Sequence, residues 1–243
     1  MAIINLPIKV WSGSAGTSYL YETQYIVNKP TAGLIPIKSQ IFSLNFGGSA
    51  SFWLNCEYSP INNLALGLAF GGTNLFGSEN IKFQPYPGIL AKYRFVNENK
   101  YVPAIAVGFN SQGLGVYNSK ANEFEINSPG LFLAFSKSFK WKYGYLGLHL
   151  GTNYSFEPVA SKRKINPYLG FEQSLGSRSS LDLEYDLQTP YNPNFVFNKG
   201  LLNVDLRYSI DNSTTLELKF IDIFNTNTQI YKLLKVEFIG YYF

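Results

Sequence analysis

The sequence predicts an all-β fold: a single 12-stranded antiparallel barrel with strands long enough to cross a membrane. Three observations predict it. Twelve segments alternate apolar and polar side chains at period two between turn residues. The connections between them alternate short and long. Each strand splits into an apolar face and a face of charged and small residues.

The segments fall at 38–46, 49–58, 63–71, 88–96, 101–109, 130–138, 145–155, 166–174, 180–188, 201–209, 214–221 and 232–243. A tilted strand needs roughly 9–11 residues to span a bilayer, and most of these segments suffice. No long segment carries the helical apolar period. Residues 1–37 precede the first strand and are expected to form a periplasmic lead-in or partial plug, with the barrel at 38–243. After a hairpin at Gly47–Gly48, short connections fall at 59–62, 97–100, 139–144, 175–179 and 210–213. Long ones fall at 72–87, 110–129, 156–165, 189–200 and 222–231. Outer-membrane barrels have short periplasmic turns and longer external loops, whereas a soluble sandwich has no reason to segregate them. An even strand count puts both barrel ends on the periplasmic side.

Successive side chains point to opposite faces of a strand. Segment 180–188 sets Leu181, Leu183, Tyr185 and Leu187 against Asp182, Glu184 and Asp186. Segment 201–209 sets Leu202, Val204, Leu206 and Tyr208 against Asn203, Asp205 and Arg207. Segment 214–221 sets Leu216, Leu218 and Phe220 against Glu217 and Lys219, and the last strand sets Leu234, Val236 and Phe238 against Lys235 and Glu237. Glu57, Lys92, Arg94 and Glu172 continue the pattern in earlier strands. Alternation alone fits a soluble barrel as well as its inside-out counterpart. The polar faces also carry Ala65, Gly67, Ala69, Gly147, Gly151 and Gly170, which suit a crowded lumen better than an exposed sheet. Both charge signs on neighbouring strands allow cross-strand neutralisation there. The expected lumen holds eight acids and five bases, so an open pore would prefer cations. Arg is expected to be costly at Leu183 and Val204 and tolerated at Asp182 and Asn203.

Composition narrows the class. Apolar residues make up 46% of 243, and no stretch reaches the roughly 20 apolar residues of a membrane helix. Basic and acidic residues are scattered, with a net charge of +4, so nucleic acid is not an expected partner. Cys56 stands alone, which excludes an internal disulfide and a thiol metal cluster. No cofactor or metal is expected. Ala2–Ile8 (AIINLPI) lacks a preceding basic residue and a clear cleavage site, so the sequence is expected to be mature, truncated or misassigned at its start.

The chain closes on VEFIGYYF, Val236–Phe243. A terminal aromatic strand of this kind looks like the last strand of a bacterial outer-membrane barrel, and Phe238, Tyr241, Tyr242 and Phe243 are expected to form the signal read by the barrel-assembly machinery. PTAGL (30–34), GLAFGGTNLFGS (67–78), PYPGILAKYRF (85–95), PAIAVGFNSQGLG (103–115) and SPGLFLAFSKSF (128–139) extend the match. The run from Pro30 onward resembles outer-membrane barrels of the YjbH-like type, associated with exopolysaccharide gene clusters. The resemblance implies a Gram-negative outer-membrane location and no catalytic residues. This chain departs from larger members in being one small barrel.

Three features are weighed as chemistry. His149 falls in the polar-face set; a lipid hydrolase would need a serine two positions away, facing lipid, and Gly151 stands there. A hydrogen-bonded lumen histidine is the expectation. Asp182, Glu184 and Asp186 stand about 7 Å apart on one face, and are expected to form an ion-pair network with Arg207, Lys219 and Lys235 rather than a Ca²⁺ site. Lys162, Arg163 and Lys164, in an expected outer loop, could meet lipopolysaccharide phosphates or an anionic polysaccharide.

The expected function is therefore structural or transport-associated, without catalysis, in envelope or exopolysaccharide biology. Outer-membrane lipid, lipopolysaccharide, the assembly machinery and polysaccharide or envelope proteins are the expected partners. A diffusion channel for small polar solutes, an outer-membrane lipid hydrolase and a soluble β-barrel ligand binder are the alternatives. Twelve strands stand between the eight that side chains fill and the 16–18 of an aqueous channel, so the lumen is expected to be narrow or closed.

Overall fold

The computed structural model describes residues 22–76, 78, 80–157, 165–188, 200–224 and 230–241. Its strands are β1 Ser39–Gly47, β2 Ser51–Tyr58, β3 Leu64–Thr73, β4 Lys82–Phe83, β5 Gly88–Val96, β6 Ala104–Asn110, β7 Leu114–Asn118 and β8 Glu123–Ile126. They continue with β9 Gly130–Trp141, β10 Gly144–Tyr154, β11 Asn166–Leu175, β12 Ser179–Asp186, β13 Leu201–Ser209, β14 Thr214–Ile221 and β15 Tyr231–Tyr241. Twelve of these, all but β4, β7 and β8, close into an antiparallel barrel. The order runs β1, β15, β14, β13, β12, β11, β10, β9, β6, β5, β3 and β2, and β2 returns to β1.

Closure rests on continuous ladders. β1 pairs with β15 from Ser39 opposite Tyr241 to Gly47 opposite Leu233, and with β2 from Gln40 opposite Tyr58 to Gly47 opposite Ser51. No barrel edge is left unpaired, which a spanning sheet requires because lipid offers backbone groups no hydrogen bonds. Each of the twelve expected segments coincides with a barrel strand to within a few residues. Differences lie at the ends: a 3-10 turn, Gly48–Ala50, precedes β2, and β6 begins at Ala104 rather than at 101. Tight reversals need unusual backbone, and Gly176 (φ +75°) supplies it between β11 and β12.

The long 111–129 connection is not irregular. It forms the β7–β8 hairpin, with Tyr117 opposite Phe124. β4 adds to the top of β3 through Gly72 opposite Phe83.

The barrel is inside-out. Leu68, Ile89, Leu150, Phe171, Leu206 and Leu218 are all exposed on its outer surface, while Asp182, Glu184 and Asp205 are 0% exposed. Exposed aromatics gather near the short turns (Tyr101, Trp141, Tyr143, Tyr208) and near the long loops (Phe76, Phe83, Tyr86, Phe156). An apolar belt between aromatic girdles is the surface a bilayer demands of a barrel. Among the described residues no helix is long and apolar enough to cross a membrane. The chain is a transmembrane barrel of the bacterial outer-membrane type.

Candidate functional site

The lumen contains part of the chain. Residues 22–36 enter it as a hairpin in which Tyr25 bridges Pro30, Ile26 N–H donates to the Lys29 carbonyl at 2.9 Å and Thr31 N–H to the Gln24 carbonyl at 3.0 Å. At its tip the N–H groups of Val27, Asn28 and Lys29 converge on one oxygen of Glu184, at 2.9, 2.9 and 2.7 Å. Successive amides pointing the same way make a concave anion site, here filled by a side chain of the barrel wall. The second Glu184 oxygen accepts from Asn203 Nδ2 at 2.7 Å.

Side chains of β5, β9 and β11 to β14 hold the rest of the hairpin. Lys92 Nζ donates to the carbonyls of Gln24 and Gly33, and Ala32 N–H donates to Ser136 Oγ. Tyr168 O–H donates to the Pro30 carbonyl, Arg207 Nη2 to the Tyr25 carbonyl and Lys219 Nζ to the Val27 carbonyl. Lys29 pairs with Asp186 at 2.8 Å, and Arg94 pairs with Glu22. Thr23 Oγ1 donates to Glu172 at 2.7 Å. Gly170 makes room for the tip: a Cβ there would stand 2.5 Å from Ile26 Cδ1.

Charge pairs fill the remaining wall. Asp182 and Asp205 stand directly opposite on β12 and β13, a repulsive register. Arg207 Nε relieves it, 3.2 Å from Asp182 and 3.3 Å from Asp205. Lys219 reaches Glu217 at 2.8 Å and Asp205 at 3.5 Å, and Lys235 bridges Glu217 at 3.2 Å to Glu237. The acidic row on β12 therefore divides: Asp182 joins the Arg207 cluster, whereas Glu184 and Asp186 hold the hairpin. Asp182 faces Arg207 at 3.2 Å, so an Arg at that position would meet a like charge rather than open lumen.

An apolar seal caps the hairpin tip. Ile26 and Val27 pack with Trp53, Tyr168, Leu201, Ile221, Tyr231 and Leu233, joined by Leu114 and Ile126 of the β7–β8 hairpin. Glu157 fixes that outer hairpin by accepting from the N–H groups of Phe124 and Ser128 and from Asn127. The sequence hinted at neither contact, because both join segments far apart in the chain.

His149 lies inside the lumen. Ser136 Oγ is 2.9 Å from its Nδ1, and Glu172 Oε2 is 3.4 Å from its Nε2. Serine, histidine and carboxylate in contact invite comparison with a hydrolytic triad. Here the serine is 4% exposed and its oxygen already accepts from Ala32 N–H, so an ester has no approach. The trio ties β9, β10 and β11 to the hairpin.

Glu57 lies on the wall of a cavity of about 80 Å³ between the hairpin and the β15, β1, β2 and β3 side of the lumen. Phe238 is exposed on the outer face and Tyr241 pairs with Ser39 across the closing seam. Tyr242, Phe243, Lys162, Arg163 and Lys164 lie outside the described residues.

No protein-family model and no curated protein sequence matches the chain. Among solved structures, it is similar to a KdgM porin with a TM-score of 0.54 and 14% identity, over 84% of this chain and 99% of that one. A KdgM porin in complex with disordered oligogalacturonate follows, with a TM-score of 0.49 and 12% identity over 84% and 99%. A NanC porin has a TM-score of 0.44 and 6% identity over 84% and 100%. The first likeness shows the fold, that of a bacterial outer-membrane porin.

Proposed function

We propose that this barrel is held closed at rest by its own residues 22–36 and serves a structural or transport-associated role in the outer membrane, without catalysis. The observation that carries the reading is the hairpin's backbone, bonded to side chains of β5, β9, β11, β12, β13 and β14. Opposite charges attract more strongly in a narrow, poorly hydrated lumen than in water, so these contacts hold the closed state. Transport then requires the hairpin to leave its seat. The segments at 30–34, 67–78, 85–95, 103–115 and 128–139, which resemble exopolysaccharide-associated barrels of the YjbH-like type, support a role in exopolysaccharide biology. In that reading Lys162–Lys164 meet lipopolysaccharide phosphates or an anionic polysaccharide, and Phe238–Phe243 present the strand taken up by the assembly machinery.

The porin fold and the residual cavity favour a second reading, a passive channel for small polar solutes. Planar-bilayer recording of the purified protein separates the two. The closed reading expects little steady conductance, with leak appearing when charge is removed at Glu184 or Arg207. Large, stable, cation-selective channels from the unmodified protein would establish the diffusion channel instead.

A further inference from the structure

A second cavity lies away from the lumen hairpin, at the long-loop end of the barrel. It is a cleft of about 420 Å³ between the residues that join β4 to β5, the β7–β8 hairpin and the segment that follows β10. Clefts that take small molecules commonly measure about 300–1,000 Å³. Tyr86, Phe109, Tyr117, Phe124 and Phe156 line it together with one carboxylate, Glu157, and no basic side chain stands among its described lining residues. The rings come in pairs: Tyr117 and Phe124 stand edge to face at 4.9 Å, and Phe109 and Phe156 at 6.0 Å. Tyr86 is 77% exposed, so the cleft is open to solvent. Pro85 and Pro87 flank that ring, and their fixed φ angles lower the entropy cost of holding it in place.

Glu157 is positioned without being neutralised. Its carboxylate accepts the N–H groups of Phe124 at 2.8 Å and Ser128 at 2.7 Å, and Asn127 Nδ2 at 2.8 Å. All three donors are uncharged, and among the described residues no ion pair reaches Glu157. Burial and then the nearby Glu157 carboxylate push the pKa of the Tyr117 hydroxyl up, so the charge is felt across the cleft. Other polar groups of the lining are committed. Gln84 Nε2 donates to the carbonyls of Ala69 and Tyr86 and its amide exchanges bonds with Gln112, while Ser111 Oγ accepts from Ile89 N–H. A sugar would need several such groups free. Aromatic faces beside an uncompensated carboxylate instead suit a cation whose charge is spread over alkyl groups, because it asks for no directed hydrogen bonds.

We infer that this cleft binds an alkylated ammonium, a quaternary group of the choline class, with Glu157 as counter-charge and the rings of Tyr86, Tyr117 and Phe124 against its methyl groups. Phe156 sets one side of the cleft in the aromatic girdle, so the ammonium can belong to a free solute or to a lipid headgroup. No lining residue belongs to the 22–36 hairpin, so bilayer recordings and the binding test below can fail independently.

Equilibrium dialysis of the full-length protein with radiolabelled choline tests it, in a polyoxyethylene detergent that carries neither ammonium nor sugar. One saturable site per chain is expected. Dimethylbutanol, with a tert-butyl group in place of trimethylammonium, should compete at least about tenfold more weakly than unlabelled choline. Glu157→Gln should weaken choline by a similar factor. Tyr86→Leu should weaken it about threefold and Tyr86→Phe should bind like the parent, because the ring and not the hydroxyl meets the cation. Folding of each variant is checked by its heat-dependent shift on gels; should Glu157→Gln release the outer hairpin and misfold, the exposed Tyr86 variants carry the test. No saturable choline, equal competition by the uncharged isostere, or unchanged affinity in a folded Tyr86→Leu or Glu157→Gln would overturn the site. Competition by a short-chain phosphatidylcholine below its micelle concentration separates the sources: stronger than choline marks a lipid headgroup, equal or weaker a free solute, and both results uphold the ammonium class.

Discussion

Glu184→Gln isolates the lock on the hairpin. Glu184 is fully buried, and its carboxylate accepts three backbone N–H groups at 2.7–2.9 Å together with Asn203 Nδ2. A hydrogen bond to a charged acceptor contributes about 1.5–3 kcal/mol and a neutral one about 0.5–1.5, so three bonds lose about 3 kcal/mol when the charge goes. The new amide NH₂ also meets a donor on one side. Asn203 cannot flip to accept it, because its Oδ1 already takes the Asp222 N–H at 2.9 Å. Against this, a neutral side chain is spared the cost of drying a carboxylate, which offsets part of the loss. A net of about 2 kcal/mol raises the unseated population roughly 30-fold. A cysteine at Asn28, 9% exposed, reports seating through its reaction rate with a soluble maleimide. Where opening is fast relative to reaction, that rate follows the open population. Glu184→Gln should speed labelling by about that factor and raise leak conductance with it. A rate within twofold of the parent would refute the view that Glu184 holds the hairpin.

Gly170→Val places atoms where Ile26 now sits, within 2.5 Å at Cβ alone, and should displace the tip while leaving the barrel folded; raised conductance with an unchanged heat-shift on gels checks it. Leu183→Arg, on the lipid face, should cost about 2–4 kcal/mol in reversible folding into liposomes. Asp182→Arg should cost at least as much despite facing the lumen, because it confronts Arg207 and strips it of a partner at 3.2 Å. A cysteine at Asn118, exposed on the β7–β8 hairpin, should label in intact cells, and one at Asn99, between β5 and β6, should not; the reverse pattern would invert the topology. At the turn before β14, N–H groups of Ser213 and Thr214 hold the Asp211 carboxyl below its ordinary range. A depressed folded pKa gives stability that is present above the unfolded value and lost as pH falls through the folded one. Asp211→Asn should therefore lower the unfolding midpoint at neutral pH, and the difference should vanish in acid once the pH falls below the folded value.

The barrel was legible because its signal is local. Period-two alternation fixes strand and face together, so Leu181, Leu183 and Tyr185 could be separated from Asp182, Glu184 and Asp186 without knowing any neighbour. Loop lengths then supplied the up-down order. Pairing within the lumen was not legible, since it depends on which side chains meet across the interior. Asp182 and Glu184 share strand, face and charge, yet one meets Arg207 and the other a backbone turn 155–157 residues away. Nothing in the QYIVNKP stretch announces an anion site, because its donors are main-chain N–H groups that every residue but proline owns. The β7–β8 hairpin escaped for a related reason: Gly113 and Gly115 break its alternation, and its packing partners Trp53, Tyr231 and Leu233 belong to the barrel mouth.

These distant contacts set an order of events. The hairpin immediately precedes β1, yet its partners on β11 to β14 lie between 138 and 192 residues onward. It cannot take its seat until the second half of the barrel stands opposite the first, and β1 cannot close the barrel until β15 reaches it through Ser39 and Tyr241. A barrel closed without the hairpin would keep Asp186 facing the lumen without Lys29, and Glu184 without its three amides. Burying such charges unpartnered costs several kcal/mol each, so an unseated lumen must stay wet. Seating therefore expels that water and pairs the charges in one step. On the closed reading proposed above, the interior then has two states, wet and open or paired and closed, and the contacts that seat the hairpin are the ones that shut it.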